Sequence, residues 1–395
     1  MGVSLKRLGI LLVYLLAFGG EACRFNVRDV GFVDLGSEPY TLYLFVDDTM
    51  PALERESLQS IATATFYDSN VEAELLTLGQ ARQGEAKAYL PAGFTGELPV
   101  AVLISPNRKS TFLVDLAKRG VPVLQTAWDA LESVLDSSRR NAILKQVFDC
   151  YGVVLIVEGQ SDKENRRIHS MVDAVVTDVT AKLPGLEKEI KKPPVVEVIS
   201  PDDFKGERAF LWSLGVNQVM EFPQVALLYG RGRMIGPVLR GDKQLTQSSV
   251  SAVLNTIGLN CECGLDRKWM QGVMVPLKWG QERKQEIAKQ LGFNPESPEI
   301  RIEMSQILAK AGLGQASNRS KIVGDTLDEL LTGYHMGSLA AKKPPESAKP
   351  LGQALEVDKP LTRGAEMSGW LSLSGIVILI VGGVIVLIGY RRQSQ

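Results

Sequence analysis

Residues 97–104 read ELPVAVLI, and residues 221–228 read EFPQVALL. Each copy places a proline directly before an apolar segment, and each segment is followed by a short basic turn and a second apolar segment. An internal repeat of this kind indicates two related domains in tandem. The chain of 395 residues is long enough for two or three domains.

The same order of predicted elements surrounds each copy of the repeat. Residues 40–46 (YTLYLFV) and 153–157 (VVLIV) have the composition of buried strands. In each half a helix and a second strand precede the repeat, and a final helix follows it. The further predicted elements are helices over 51–65, 127–135, 161–182, 209–214 and 247–257, and strands over 72–78, 111–116, 194–199, 223–229 and 234–239.

This order resembles the thioredoxin fold, an α/β fold with a mixed central sheet flanked by helices. Residues 222–246 (FPQVALLYGRGRMIGPVLRGDKQLT) are similar to the distal half of thioredoxin-like domains. The resemblance implies two tandem thioredoxin-like domains, a divergent one over residues 23–137 and a second over 138–263. In that family a cis proline opens the third core strand, so it also implies cis peptides before Pro223 and Pro99.

The chain departs from the family where the redox chemistry is done. Family members carry Cys-x-x-Cys at the start of the first helix, where the helix N-terminus lowers the pKa of the reactive thiol. The corresponding residues, 46–51 (VDDTMP) and 158–163 (EGQSDK), contain no cysteine. Ordinary thiol–disulfide exchange at those two places is therefore chemically excluded.

Residues 1–22 have the pattern of a secretory signal peptide. Lys6 and Arg7 precede an apolar run over 8–18, and Gly20 and Ala22 supply the small residues of a cleavage site. An uncleaved membrane helix and a lipid-modified N-terminus at Cys23 are the alternatives. The pattern predicts a bulk extracytoplasmic location, which is the periplasmic side of the inner membrane if the protein is bacterial.

Residues 367–390 are predicted to form one transmembrane helix. From Trp370 to Tyr390 the sequence contains no charged residue, and Arg391 and Arg392 follow it. About twenty apolar residues cross a bilayer, and positive residues stay on the cytoplasmic side, so residues 391–395 are a cytoplasmic tail. Small residues recurring on one helix face are candidates for packing against another membrane helix. They are Gly375, Gly382 and Gly389.

Four cysteines are present, and the export signal places them in an oxidising compartment where pairs tend to form disulfides. In the resembling fold, Cys150 lies at the same end of the domain as Cys261 and Cys263, which implies a structural bridge between Cys150 and one of them. Free buried thiols are an alternative. A second alternative is a C-x-C dithiol switch at Cys261 and Cys263. Thiol trapping would distinguish a structural bridge, free thiols and a redox-active pair. No metal or cofactor is predicted.

Two further segments follow the second domain. Residues 264–336 are predicted to be a helical extension, and residues 337–366, rich in Lys, Pro, Ala and Gly, a flexible linker. Arg231 and Arg233 lie in a predicted hairpin turn. Trp269 and Trp279 either bind a partner or pack on the second domain, because tryptophan and arginine are enriched at interfaces.

These features favour a function without catalysis. The net charge of −1 and the lack of a basic patch argue against nucleic acid binding. We expect a membrane-anchored protein with redox-inactive thioredoxin-like domains that serves as an interaction or accessory subunit of a membrane assembly. The alternative is a thiol–disulfide oxidoreductase that uses Cys261 and Cys263.

Overall fold

A computed structural model describes residues 24–90, 98–118, 120–186, 188, 190, 192–259 and 271–311. The chain divides into two compact units, Met1–Gly337 and Ser338–Gln395, and every described residue belongs to the first. The predicted signal peptide, linker and transmembrane helix lie outside the described residues. Among those described, no helix is both long and apolar enough to span a bilayer.

The described residues form nine strands and eleven α-helices, joined by two short 3₁₀ turns. The strands are β1 Tyr40–Val46, β2 Val71–Thr77, β3 Val100–Ile104, β4 Thr111–Asp115, β5 Val153–Val157, β6 Val195–Ile199, β7 Gln224–Tyr229, β8 Arg233–Met234 and β9 Leu239–Arg240. The helices are α1 Val27–Phe32, α2 Ala52–Phe66, α3 Leu78–Ala81, α4 Val123–Glu132, α5 Ser138–Asp149, α6 Asp162–Lys182, α7 Arg208–Ser213, α8 Gly241–Gln244, α9 Gln247–Leu259, α10 Gln281–Leu291 and α11 Pro298–Ala311.

The two sheets share one topology. The first has the order β2-β1-β3-β4, and the second has the order β6-β5-β7-β8 with β9 also paired to β7. In both, the first two strands along the chain are parallel and the third joins the first antiparallel. Each sheet is therefore mixed, and the two sheets with their helices match thioredoxin-like domains.

Both faces of each sheet are covered. In the first domain, α2 and α4 cover one face, while α3 and the following 3₁₀ turn cover the other. In the second domain, α6 and α9 cover one face. The opposite face is covered by α5, α7 and α10. The central strands β1, β5 and β7 are almost entirely buried because they have covered faces on both sides.

The N-terminal segment, assigned from sequence to the first domain, packs in the core of the second. Phe25, Val27 and Val30 are buried against β5, β7 and α9. A Cβ atom on Gly31 would lie 2.4 Å from the Tyr229 ring, so only glycine allows this approach. An apolar pattern can indicate burial, but it cannot say which of two cores a segment joins.

The predicted helical extension completes the second domain rather than standing apart. Residues 274–279 and α10 pack on one face of its sheet, and α11 contributes Met304 and Leu308 to the other. The first described residue is also held to α11, since Arg24 forms a 2.8 Å ion pair with Glu303. The second domain is therefore assembled from segments at both ends of the described chain.

The two domains share a buried interface centred on Trp212. This side chain belongs to α7 of the second domain, yet it packs in the core of the first, with ring centroids 6.1 Å from Tyr40 and 5.7 Å from Phe112. The Tyr40 hydroxyl donates to the carbonyl of Met274 at 2.9 Å. Arg140, fully buried in α5, donates to the carbonyls of Ser133 and Val134 after α4.

Trp212→Ala tests whether this interface holds the domains together. Removing a buried tryptophan ring leaves a cavity, and we expect the free energy of unfolding to fall by about 3–5 kcal/mol. Trp128→Ala is the matched control, because Trp128 is 46% exposed and Trp212 only 8%. We expect less than about 1 kcal/mol there in urea titrations followed by circular dichroism. Equal effects of the two substitutions would contradict the interface.

Candidate functional site

The first helix of the first domain begins after an acidic turn. The Asp47 carboxylate accepts a hydrogen bond from the Thr49 amide at 2.8 Å, and Asp48 accepts one from the Gly79 amide at 2.9 Å. Side-chain hydrogen bonds from Thr49 and Thr77 are the main causes that lower the pKa of Asp47 and Asp48. Both carboxylates are thus used to shape the turn, which carries no nucleophile.

The first helix of the second domain begins at Asp162 and is capped by Ser161. The Ser161 hydroxyl accepts from the Glu164 amide at 3.5 Å, so this serine side chain caps the helix end. Asn165 clamps the preceding loop, since its amide group exchanges two hydrogen bonds, of 2.9 and 3.0 Å, with the backbone of Gly159. These local bonds fix the backbone at the position where the family carries its cysteines.

Residues 218–223, which we call the 218–223 loop, lie directly against this helix start. The Gln160 and Ser161 amides donate to the carbonyls of Met220 and Glu221, each at 3.0 Å. A Cβ atom on Gly159 would lie 2.5 Å from the Glu221 carbonyl oxygen. Glycine at this position therefore allows the loop to approach, and the two backbone segments hold each other in place.

The 218–223 loop exposes two large apolar side chains. Met220 is 42% exposed and Phe222 is 50% exposed, although the strand that follows them is fully buried. No described residue makes a hydrogen bond with the main chain of Phe222. At the rim, His169 Nε2 lies 2.9 Å from Glu158 Oε1. The loop thus offers apolar surface together with the main-chain donor and acceptor of Phe222, which an extended polypeptide can bind.

The structure gives different outcomes for the two predicted cis prolines. The Leu98–Pro99 peptide is cis, as predicted, and Pro99 is buried. It is the one cis peptide among the described residues, so the prediction for Phe222–Pro223 is wrong. The Gln160 and Ser161 amides donate hydrogen bonds to the carbonyls of Met220 and Glu221. These bonds fix the path of the chain into β7, where the Phe222–Pro223 peptide is trans.

The arginines proposed to bind a partner are instead internal. Arg231 stacks over the Trp279 ring at 4.3 Å and pairs with Glu296 at 2.9 Å, while Trp279 donates to the same carboxylate at 3.0 Å. Burial lowers the pKa of Arg231 to about 10. Of the two alternatives for Trp279, packing on the second domain is the one observed. Arg231 is covered by the same contacts, so the prediction of a partner site at Arg231 is wrong. Trp269 lies outside the described residues.

Arg233 is also a correction to the predicted partner site. It is 1% exposed and donates to the carbonyls of Gly31 and Gly272 and to the Ser37 hydroxyl. These bonds join the N-terminal segment to the hairpin β7–β8. A basic turn is typical of solvent-exposed loops, and the sequence held no signal that these cations would be covered by segments from both chain ends.

Cys150 is fully buried and forms no disulfide with a described residue, which agrees with the alternative of a free buried thiol. A bridge to Cys261 or Cys263 stays a prediction. Its Sγ lies 3.2 Å from the carbonyl of Gly152. Burial raises the pKa of the Cys150 thiol to about 11. Cys261, Cys263 and the glycines of the predicted membrane helix lie outside the described residues. Within the described ranges, no group of three or more His, Cys, Asp or Glu could hold a metal ion.

The repeat in the sequence pointed to Pro223, and the exposed residues beside it were not predicted. Met220 and Phe222 directly precede Pro223, so the repeat itself marked their position. What the sequence could not show is that this loop keeps its apolar side chains in solvent. The Glu158–His169 pair was missed for a related reason, since the two residues are brought together by the turn between β5 and α6.

The chain matches no protein-family model, and no curated protein matches it. Solved structures of thioredoxin-domain proteins show a likeness to the chain. Human ERp44 in its zinc-bound form is 11% identical over 57% of this chain and 56% of that chain, with a TM-score of 0.19. The first two thioredoxin domains of Naumovozyma dairenensis Eps1p are 10% identical over 59% and 96%, with a TM-score of 0.20. The bb fragment of ERp72 is 11% identical over 54% and 86%, with a TM-score of 0.20.

The chain thus spans little more than half of the ERp44 chain. These TM-scores are too low to support a fold, and the thioredoxin-like assignment rests on the strand order of the two sheets.

Gly159→Ala tests the contact between the helix start and the 218–223 loop. The added methyl meets backbone atoms that no side-chain rotation can move, so we expect the loop to shift and the free energy of unfolding to fall by about 1–3 kcal/mol. Gly185→Ala is the control, since nothing lies within 4 Å of its added Cβ. Hydrogen exchange should show faster amide exchange over residues 218–223 in the first variant alone. Unchanged exchange would contradict the contact.

Alkylation of Cys150 tests its burial and its free state. Because the pKa of this thiol is raised, the thiolate is scarce at pH 7, and we expect labelling by N-ethylmaleimide on the order of 100-fold slower than in urea. Mass spectrometry of the peptide that contains Cys150 reads both rates. Equal rates would show an accessible thiol. A thiol that stays unlabelled in urea until a reductant is added would support the disulfide prediction.

Proposed function

We propose that this chain is a membrane-anchored extracytoplasmic interaction subunit whose thioredoxin-like domains bind a partner polypeptide without thiol chemistry. The observation that carries the proposal is the 218–223 loop, where Met220 and Phe222 remain exposed beside a helix start that has no cysteine. The loop keeps a position suited to contact with a polypeptide, while the residues that would react with one are absent. The partner is a protein of the same membrane assembly.

The support for anchoring comes from the sequence. Trp370 to Tyr390 contains no charge and is followed by Arg391 and Arg392, while residues 1–22 carry an export pattern. The domains would therefore stand on the extracytoplasmic side, joined to the membrane by residues 337–366. A tether of that length lets the 218–223 loop search the nearby membrane surface.

The chemistry of the loop favours binding over catalysis. The Ser161 hydroxyl caps α6, and Glu158 is paired with His169. Neither arrangement activates a nucleophile, since the serine has no base in its contacts. Exposed Met and Phe are the side chains that adapt to and anchor on a partner's surface. The loop therefore has the parts of a recognition surface.

Photo-crosslinking in native membranes tests this proposal. A benzophenone amino acid placed at Gln160, an exposed position beside the loop, should form an adduct with one membrane protein, identified by mass spectrometry. Adding Met220→Ala and Phe222→Ala should lower the yield by about tenfold or more, because two apolar anchors of roughly 1 kcal/mol each are removed.

The matched control is the pair Leu53→Ala and Tyr67→Ala, which removes exposed apolar side chains from the first domain. We expect that pair to leave the adduct yield unchanged. An equal loss of yield in both variants, or no adduct at Gln160, would refute the proposed site. Deletion of residues 367–390 should release the chain from carbonate-washed membranes, and retention would refute the anchor.

A further inference from the structure

One edge of the first domain's sheet differs from the other strand edges in the described part of the chain. An open edge presents a row of main-chain donors and acceptors, and proteins usually blunt it. At β2 the exposed acids Glu72 and Glu74 do so. At β6 the side chain of Arg139 donates to the carbonyl of Val198. The strand β8 is only two residues long.

The edge strand β4 has none of these protections along its length. Its exposed side chains are Thr111, Leu113 and Asp115, and Leu113 is 46% exposed. Its one charged residue stands at its end. The Arg208 guanidinium lies 5.6 Å from the centroid of the Phe112 ring, which also packs against Trp212. The strand itself contains no cation, proline or bulge, and with an exposed leucine at its centre it is a ready template for another strand.

The hydrogen-bonding pattern of the β3–β4 ladder shows which main-chain groups of β4 point away from β3. The Ser105 amide donates to the Ser110 carbonyl at 3.0 Å, so this pair is a hydrogen-bonded pair of the β3–β4 ladder. Such pairs alternate with non-bonded ones along an antiparallel ladder. The amides and carbonyls of Thr111, Leu113 and Asp115 therefore point away from β3, and no described residue bonds to them.

We infer that β4 is the docking edge for a second copy of this chain, with a two-fold axis at Leu113. Antiparallel pairing about that axis sets Leu113 against Leu113 and Thr111 against Asp115 of the second copy. Because outward-facing residues then meet outward-facing residues, the pairing forms about six main-chain hydrogen bonds. The two four-stranded sheets become one continuous sheet.

The side chains of β4 are complementary to themselves in this register. Leu113 lies on the same face as Val102, so two copies of Leu113 would extend that apolar layer across the axis. On the opposite face, Phe112 would meet Val114 of the second copy, an aromatic and β-branched pair that favours strand pairing. At each end the Thr111 hydroxyl would meet an Asp115 carboxylate, so no like charges are opposed.

Two of the two-fold registers of β2 oppose acids. Centred on Ala73, the operation would oppose Glu72 to Glu74, and centred on Glu74 it would oppose that acid to itself. Like charges directly across a strand pair are destabilising. The sequence of β4 (TFLVD) opposes no like charges when it pairs with a copy of itself about Leu113, whereas β2 (VEAELLT) opposes acids in these two registers.

Site-directed disulfide crosslinking in the full membrane-bound chain tests the register. Leu113→Cys should give a dimer band on mild oxidation, since opposed Cβ atoms lie about 5.5 Å apart. Thr111→Cys alone and Asp115→Cys alone should not, because four residues of strand separate each from its own copy by roughly 13 Å. A mixture of those two variants should crosslink. The parent chain supplies the background from its native cysteines.

Leu113→Lys should convert a detergent-solubilised dimer into a monomer in sedimentation experiments, because two cations would face each other at the axis. Ile302→Lys, at an exposed isoleucine of α11, should leave the dimer intact. The inference is overturned if Leu113→Cys gives no dimer band, if Thr111→Cys crosslinks to itself, if Leu113→Lys remains dimeric, or if Leu113→Cys captures a different protein instead. None of these outcomes depends on the 218–223 loop.

Discussion

The architecture depends on two buried arginines that tie the N-terminal segment to the second domain. Arg28 donates to the carbonyls of Phe148 and Cys150 at the end of α5, and Arg233 donates to the carbonyls of Gly31 and Gly272. A buried cation is costly unless its donors are satisfied, so these contacts specify one arrangement of four separate segments. Burial lowers the pKa of Arg28, as expected for a cation removed from water.

This constraint links distant parts of the chain into one body. The core of the second domain contains Val27 from one end and Leu308 from the other, and Trp212 joins that core to the first domain. The second domain cannot complete its core until α11 has been synthesised, because α11 supplies Met304 and Leu308 to that core. The 218–223 loop is firmly supported. Its backbone accepts hydrogen bonds from Gln160 and Ser161, and it leads directly into the fully buried strand β7.

The sequence predicted the parts of the fold that are written locally. Alternating and continuous apolar runs placed β1, β5 and β7, and the repeated proline showed that two domains share one topology. It did not predict where α1 packs, because an apolar stripe indicates burial without identifying the core. It misplaced Arg231 and Arg233 at a surface and left Trp279 open between a partner site and the core. Cations and indoles line binding sites and also cover cores, and only tertiary contacts distinguish the two. The exposure of the 218–223 loop could not be predicted either, because its apolar side chains are of the same kind as those of the buried strand β7 that follows.

Magnitudes indicate how such a loop could serve a stable assembly. Burying the exposed halves of Met220 and Phe222 would contribute about 2–3 kcal/mol, since a full apolar side chain contributes about 1.5–3 kcal/mol. A dissociation constant of 1 mM already requires about 4 kcal/mol, so one loop without a covalent step binds weakly. Confinement to a membrane raises the effective concentration of partners, and two linked copies make the second binding event intramolecular. The proposed tether and the proposed pairing at β4 would both add to the affinity of the proposed binding loop, which has no covalent step to strengthen it.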